Sequence, residues 1–384
     1  MLAGACSAGP RDVFEAAVAG ATPRVDLMGL PPEELALFLQ GLGQPRYRGR
    51  QVFSWLHRGA DFPEMTDLPA ALRARLASLA AAGTLRLDSH HQAPDGAAKY
   101  AFRTHDGELI ETVLIPHRDR TTVCVSSQIG CAFGCQFCAT GKQGFVRDLT
   151  AGEIVEQVVR VQHELGLRRV SNVVFMGMGE PLANYQAVVT AARLLNHPGG
   201  LHIGARRIAI STCGLPDEIR RLAGEGLQVA LAISLHAATD DVRSQLAPIN
   251  RKHSLAEVMA AAREYVQRTG RKVAFQYVVV PGVNDTPEQA RRLAALVRGM
   301  PAMVNVIPRN PEGAVALADS GPALRFARLV DQRGVEVAVR RSRGAEVLGA
   351  CGQLASRRRP GAAGRADARP AHEQPLSGEA TWRR

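Results

Sequence analysis

The sequence predicts an α/β protein: a partial (β/α)6 barrel, preceded by a small helical domain and followed by a disordered basic C-terminal tail. Three observations predict it. Between residues 121 and 307, Val-rich strand runs alternate with amphipathic helix runs through six repeats. Three short helical patterns precede residue 83, and beyond Ser356 the chain turns Arg/Ala/Gly/Pro-rich, with too little apolar surface to bury. A hydrophobic content of 46% against 22% charged residues excludes wholesale disorder. No run reaches the roughly 18 apolar residues of a membrane span.

Residues 1–25 read as a polar, Ala/Gly-rich extension without a signal-peptide pattern, so a cytoplasmic location is expected. Residues 26–83 form the helical domain. Leu27, Leu30, Leu35, Phe38 and Leu39 surround Pro31-Pro32, with Glu33 and Glu34 in a first turn; Arg50–Leu56 and Leu68–Ala82 supply two more helices. Arg46, Arg48, Arg50 and Arg58 lie among Tyr47, Phe53 and Trp55, an interleaving that suits nucleic acid; burial of Phe53 and Trp55 in a three-helix core is the competing reading.

Residues 84–120 change period. Leu85–Leu87, Lys99–Arg103 and Leu109–Ile115 read as antiparallel strands, with turns at Pro94-Asp95-Gly96 and His105-Asp106-Gly107. Residues 121–355 then carry the barrel. Its strands are expected at Thr121–Ser126, Val170–Phe175, Arg207–Ser211, Leu227–Ser234, Val273–Val280 and Met303–Ile307. Helices are expected at Ala151–Leu165, Asn184–Leu195, Glu218–Ala223, Ser254–Arg268 and Pro287–Val297, with Thr150 and Glu153 as a capping box. Parallel strands with right-handed crossovers place a functional site at the C-terminal strand ends. A last helix near Pro322–Gln332 and a strand at Val335–Val339 lead to Cys351, and 356–384 is the tail.

Net charge is +11, from 47 basic and 36 acidic residues. The tail from Ser356 holds seven Arg against three acids, and the first 30 residues carry −1, which leaves +8 on the body. A basic body suits an anionic partner such as RNA; codon bias towards Arg is the bland alternative.

Seven cysteines in a chain without a signal peptide argue for reduced thiols rather than a disulfide scaffold. Three of them, Cys131, Cys135 and Cys138, form C-x3-C-x2-C just after the first barrel strand. Three thiolates on one loop can hold a [4Fe–4S] cluster and leave one iron open for a substrate. A zinc site is the alternative, and it would want a fourth ligand at close spacing. Cys213 reads as a small buried hydrophobe, while Cys351 lies in a Gly-flanked segment, Gly349-Ala-Cys-Gly352, that implies a mobile, accessible thiol.

The cysteine spacing resembles the radical S-adenosylmethionine (SAM) superfamily. That resemblance implies a [4Fe–4S] cluster on Cys131, Cys135 and Cys138, with SAM on its open iron. It also implies SAM contacts from Gly179 and Glu180 in Met176–Pro181, from Ser211, from Ser234-Leu235-His236 and from Asn310. From about Leu27 to Leu354 the chain closely resembles the RlmN/Cfr family of RNA methyltransferases. The stretches that carry this are Glu111–Pro116, Cys124–Cys131, Met176–Pro181, Ala232–His236, Pro248–Asn250 and Ala350–Leu354.

What the family implies is 2-methyladenosine formation in 23S rRNA and tRNA with two SAM per turnover. Cys351 would carry the methyl group, Glu111 would act as base, and Cys124 would resolve a protein–RNA adduct by a disulfide with Cys351. An electron donor such as flavodoxin or ferredoxin, a monomeric state and no membrane partner complete the expectation. Arg309 departs from the aromatic residue common among relatives, which puts that loop's stacking near SAM in question. Adenine C8 methylation, and a non-catalytic zinc-loop RNA-binding protein, are the rival readings.

Overall fold

The structure is a computed structural model that describes residues 24–166, 169–311, 318–340 and 342–355. Cys6, the rest of the N-terminal extension before residue 24 and the basic tail lie outside the described residues. Among the described residues no helix is long and apolar enough to cross a membrane.

Three helices open the chain: α1 (Pro32–Gly41), α2 (Arg48–Leu56) and α3 (Ala70–Leu79). Two short strands, β1 (Val25–Asp26) and β2 (Ala80–Ala81), pair in parallel and close the unit at its base. Leu35, Leu39, Val52, Phe53, Leu56 and Leu76 are fully or nearly fully buried between them. Phe53 is therefore core, which settles that residue against nucleic-acid contact. Trp55 is half-buried, with its indole N–H donated to Asp67 at 2.6 Å and the Arg58 guanidinium over its ring.

An antiparallel extension follows: β3 (Arg86–Gln92), β4 (Ala98–Arg103) and β5 (Leu109–Pro116). The first of these runs five residues beyond the expected Leu85–Leu87, through an almost wholly exposed stretch that carries no hydrophobic alternation. Next comes β6 (Thr121–Val125), antiparallel to β5 on one side and parallel to β9 (Asn172–Phe175) on the other. From there β10 (Ile208–Thr212), β11 (Ala230–Ser234), β12 (Val273–Val279), β13 (Ala302–Pro308) and β14 (Val337–Val339) continue in parallel. The ten strands form one sheet in the order β14-β13-β12-β11-β10-β9-β6-β5-β4-β3, with β14 and β3 at its two edges. The six expected barrel strands are all present, and the sheet stays open as a partial barrel.

Helices α5 (Ala151–Glu164), α6 (Tyr185–Asn196), α7 (Pro216–Ala223), α9 (Leu255–Thr269), α10 (Pro287–Val297) and α11 (Gly321–Asp331) connect the strands. The Thr150/Glu153 capping box is formed, and Ser254/Glu257 makes a second. A short helix α8 (Asp240–Leu246) after β11 had no clear sequence signal, because seven residues give barely two turns of periodicity.

Strand alternation divides the barrel into two faces. Val123, Val125, Val173, Phe175, Ile208, Ile210, Leu231, Ile233, Phe275, Tyr277, Val304 and Val306 belong to the main core against the helices. Tyr277, for example, stacks on Phe326 of α11 at 4.7 Å. The opposite face is built of small or polar residues: Cys124, Ala209, Ser211, Ala232, Ser234, Ala274, Gln276 and Asn305. Such side chains leave space where a closed barrel would pack branched ones.

The helical unit docks on the first turn of α5. Glu156 accepts the backbone N–H groups of Thr84 and Leu85 at 2.7 and 3.0 Å, and an Asp26 carboxylate oxygen sits over Gly152. Desolvation pushes the Asp26 carboxyl up to about 7; the Met28 N–H opposes that shift, and Glu156 and Glu153 add to it. A raised acid favours the folded chain while protonated, so this contribution is full below the ordinary value of 3.8 and lost as pH rises through about 7. Asp26→Asn should therefore raise the melting temperature at pH 8 and leave it unchanged near pH 4. The gain at pH 8 should be on the order of 1–2 kcal/mol, discounted for the partial exposure of the site. Thermal melts at both pH values check this.

Candidate active site

The three clustered cysteines do not follow β6 directly. A hairpin of β7 (Gln128–Gly130) and β8 (Phe145–Asp148) intervenes, and the cysteine loop and α4 (Ala139–Gln143) are held between its strands. The base of this loop is shut by backbone contact. Cys131 N–H donates to Gly144 O at 2.8 Å, and Gly130, at φ +73°, lies where a Cβ would fall 1.8 Å from that same oxygen. Only glycine fits there.

Burial pushes the Cys131 thiol up to about 11 and the Cys135 thiol up to about 12, each raised further by Glu180 and by its neighbouring cysteines. Thiols desolvated as Cys131 and Cys135 are need cationic partners to ionise. Among the described residues no three His, Cys, Asp or Glu side chains converge on a point where one metal ion could bind. A four-iron cluster asks for a different arrangement, because each thiolate takes a separate iron. Three thiols on one loop are the donor set such a cluster takes.

The strand-end segments expected at the site converge on this loop. Gly179 has φ +99°, and a Cβ on it would lie 2.6 Å from Gln128 Cβ, so the Met176–Pro181 turn closes directly on the hairpin. Gln128 Oε1 accepts the Glu180 N–H at 2.8 Å. The Glu180 carboxylate is buried and accepts from Cys213 N–H at 2.7 Å and Leu182 N–H at 3.0 Å; burial nevertheless raises its pKa. Ser211 and Ser234 face the barrel interior from the upper ends of β10 and β11.

His236 takes the left-handed backbone region at φ +60°. Its Nδ1 accepts from Val278 N–H at 3.1 Å, and its ring meets that of Phe137 edge-on at 4.5 Å. Burial, with the Arg243 charge as a second cause, lowers its pKa to about 3, so it is a neutral imidazole with its proton on Nε2. Leu235 is fully buried.

Cys351 arrives from the far end of the chain, on a segment secured at several points rather than loose. Asn310 Nδ2 donates to Cys351 O at 2.9 Å, Ala139 N–H to Gly352 O at 2.8 Å and Thr140 Oγ1 to Leu354 O at 2.6 Å. Ala355 N–H donates to Glu111 Oε2 at 2.9 Å. The thiol is exposed to solvent, yet protein atoms crowd it closely enough that desolvation pushes it up to about 11; Cys138 raises it and Arg340 lowers it. Cys124 lies on the interior face of β6, buried with Val113, Met178 and Leu354. Burial and the proximity of Cys351 push its thiol up to about 12.

Two expectations change here. Asn310 spends its amide on Cys351 O and its Oδ1 on the Ser342 hydroxyl, so its side chain is committed to the Cys351 segment. Arg309 lines a cavity of about 560 Å³ with Lys142, Val279, Pro281 and Pro308. Cys213 is buried as expected, but at the site, with its N–H on Glu180.

Sequence reasoning missed two charged residues. Lys99 pairs with buried Glu111 at 3.0 Å; Lys99 stands opposite Val113 and Glu111 opposite Ala101, so the two are diagonal neighbours on one face of β4 and β5, a proximity visible only once the strands are paired. Arg243, on α8, is fully buried, and among the described residues no carboxylate forms an ion pair with it. It donates to the carbonyls of Cys213, Ser234, Leu235 and His253 and to Asn250 Oδ1, at 2.5–3.4 Å. It thus ties the upper ends of β10 and β11 together. Gln136 N–H, in the cysteine loop, donates to Leu246 O at the end of the same helix.

A partial parallel barrel with three cysteines on the loop after its first strand defines the radical SAM class, and the Radical SAM superfamily profile matches residues 125–294. The profile for the ribosomal RNA large subunit methyltransferase N-terminal domain matches residues 25–82. The dual-specificity RNA methyltransferase RlmN of Anaeromyxobacter dehalogenans is 47% identical over 347 residues, covering 88% of this chain and 93% of that protein. That of Geobacter sulfurreducens is 46% identical over 334 residues, covering 86% and 92%. The crystal structure of a radical SAM methyltransferase from Sphaerobacter thermophilus superimposes with a TM-score of 0.84 at 47% identity, covering 87% of this chain and all of that one. The chain belongs to the RlmN family.

Replacing Arg243 tests its tie between the strands. Arg243→Met takes from the buried Cys213 carbonyl and Asn250 Oδ1 the donor that Arg243 supplies, so the protein should lose about 3–5 kcal/mol in urea denaturation.

Proposed function

We propose that this chain is a radical SAM methyltransferase that forms 2-methyladenosine in 23S rRNA and in tRNA, consuming two SAM per turnover. The observation that carries the reading is the seating of Cys351. Its segment bonds the cysteine loop through Ala139 and Thr140 and bonds Glu111 through Ala355, while Leu354 packs on Cys124. One thiol thereby lies among the cluster ligands, a buried carboxylate and a second thiol.

When bound, the cluster on Cys131, Cys135 and Cys138 together with SAM supplies the methyl group and a hydrogen-abstracting 5′-deoxyadenosyl radical. The remaining steps belong to this chain. Adenine C2 is an amidine carbon and not a nucleophile, so Cys351 carries the methyl as a thioether and presents its carbon to C2. Glu111, desolvated and held by Lys99 and the Ala355 N–H, takes the C2 proton from the resulting adduct. The Cys124 thiolate then attacks the Cys351 sulfur; the C–S bond breaks, the departing methylene carbon keeps the electron pair and takes up a proton to become the methyl group, and the disulfide left behind is reopened by an external thiol reductant.

Gly179, Glu180, Ser211, Ser234, Leu235, His236 and Asn310 surround SAM in this reading, Glu180 and the Gly179 backbone at its amino end. Asn310 acts through the Cys351 segment that it holds. Residues 26–83 serve as an RNA-binding accessory domain, 84–120 as a strand extension and 121–355 as the catalytic domain. The basic charge of the body supports RNA as partner and predicts salt-sensitive binding. A flavodoxin- or ferredoxin-type donor reduces the cluster, and the protein acts as a cytoplasmic monomer.

Anaerobic reconstitution should yield four irons and four sulfides per chain, lost in Cys135→Ala; one zinc and no iron would overturn the assignment. Cys124→Ala should accumulate a covalent protein–RNA species on denaturing gels, while Cys351→Ala should give neither product nor adduct. Nucleoside mass spectrometry should find 2-methyladenosine, and 8-methyladenosine as sole product would replace C2 by C8.

A further inference from the structure

Two polar side chains in the barrel interior have no assigned task. Gln276 on β12 and Asn305 on β13 are 6% and 2% exposed. They are direct partners in the strand register, and Gln276 is in turn the partner of Ser234 on β11. The three residues therefore form one level across three adjacent strands. All three face inward, because Phe275, Tyr277, Val304 and Val306 on either side of them pack outward against the helices.

Among the described residues neither amide nitrogen, Gln276 Nε2 or Asn305 Nδ2, has a hydrogen-bond partner. The Gln276 backbone is in contrast fully used, with its carbonyl accepting from both Leu235 and His236 N–H groups. An unpaired buried amide costs about 1–3 kcal/mol, and two on neighbouring strands double that cost. A native interior keeps such groups where something outside the chain completes them. The residues beneath them, Ala232 and Ala274, are small and leave room in the lumen.

We propose that Gln276 and Asn305 form a carboxamide subsite that hydrogen-bonds the adenosyl part of SAM. The proposal rests on the radical SAM reading of this chain. A carboxamide offers one donor side and one acceptor side, which complements ribose hydroxyls and the N6/N7 edge of adenine. Its level shares Ser234, and β10 and β11 separate it from β9, whose following turn carries Glu180, the group placed at the amino end of SAM. Its neighbour selects SAM over an RNA base. The level ends on Ser234, the last residue of β11 and one of the residues that surround SAM in the reading above.

The test uses the reconstituted holoenzyme under anaerobic conditions, with Gln276→Met and Asn305→Leu as variants of similar shape. Titration calorimetry measures S-adenosylhomocysteine, 5′-deoxyadenosine, methionine and an unmodified RNA hairpin separately. Each variant should bind S-adenosylhomocysteine and 5′-deoxyadenosine at least tenfold more weakly, with methionine and RNA affinities within twofold of the parent. The melting temperature without ligand should hold or rise, because an unpaired buried amide has been replaced by an apolar group. Unchanged 5′-deoxyadenosine affinity overturns the proposal. So does a loss confined to RNA, which would assign the pair to the target base, or an equal loss for methionine and 5′-deoxyadenosine, which would mark a structural role. A parent enzyme that binds no S-adenosylhomocysteine brings down the radical SAM reading itself, a result distinct from variants that bind as well as the parent.

Discussion

The geometry of the site depends on the hydrogen bonds that hold residues 350–355 against the barrel. Four donors, from Asn310, Ala139, Thr140 and Ala355, join this segment to β13, to the cysteine loop and to β5. The contacts span 41 to 244 residues of sequence. None would form unless the sheet had already brought β5, β6 and β13 to their places. In exchange they fix a thiol that a Gly-flanked segment would otherwise leave to wander. Each is a modest interaction of about 1 kcal/mol, and their sum decides where Cys351 sits.

The sheet provides two further conditions. Its outward face is Ile, Val, Phe and Tyr, close-packed on helices, and a truncation there costs several kcal/mol. Its inward face mixes Ala, Ser, Cys, Gln and Asn with Val174, Val278, Met303 and Ile307. The same strands thus carry a close-packed layer on one side and a smaller, more polar one on the other. Arg243 completes the frame from outside the sheet, holding β10 and β11 ends by their carbonyls. A buried guanidinium without a carboxylate is expensive. Its expense is offset by five acceptors converging on it, and the cysteine loop leans on its helix.

Much of this was legible in the chain. The six barrel strands follow from Val-rich runs, and α5 from its apolar period and the Thr150/Glu153 cap. The cysteine triplet and the Gly-rich Met176–Pro181 turn are local patterns whose chemistry survives without coordinates. Short elements were not legible: β7, β8 and α8 have three to seven residues, too few for a period to rise above chance. Phe53 was ambiguous because an aromatic residue among arginines looks the same whether it faces solvent or core.

The sequence by itself determined the alternation of strands and helices and the C-x3-C-x2-C triplet, since each is encoded in residue type and spacing along the chain. The tertiary structure alone decided which side chains share the lumen. Strand register put Gln276 beside Asn305 and Ser234, and Lys99 beside Glu111. The closing of the C-terminal segment on the cysteine loop did the same for Cys351. Register and long-range closure depend on contacts between residues far apart in sequence, and no local pattern carries that information.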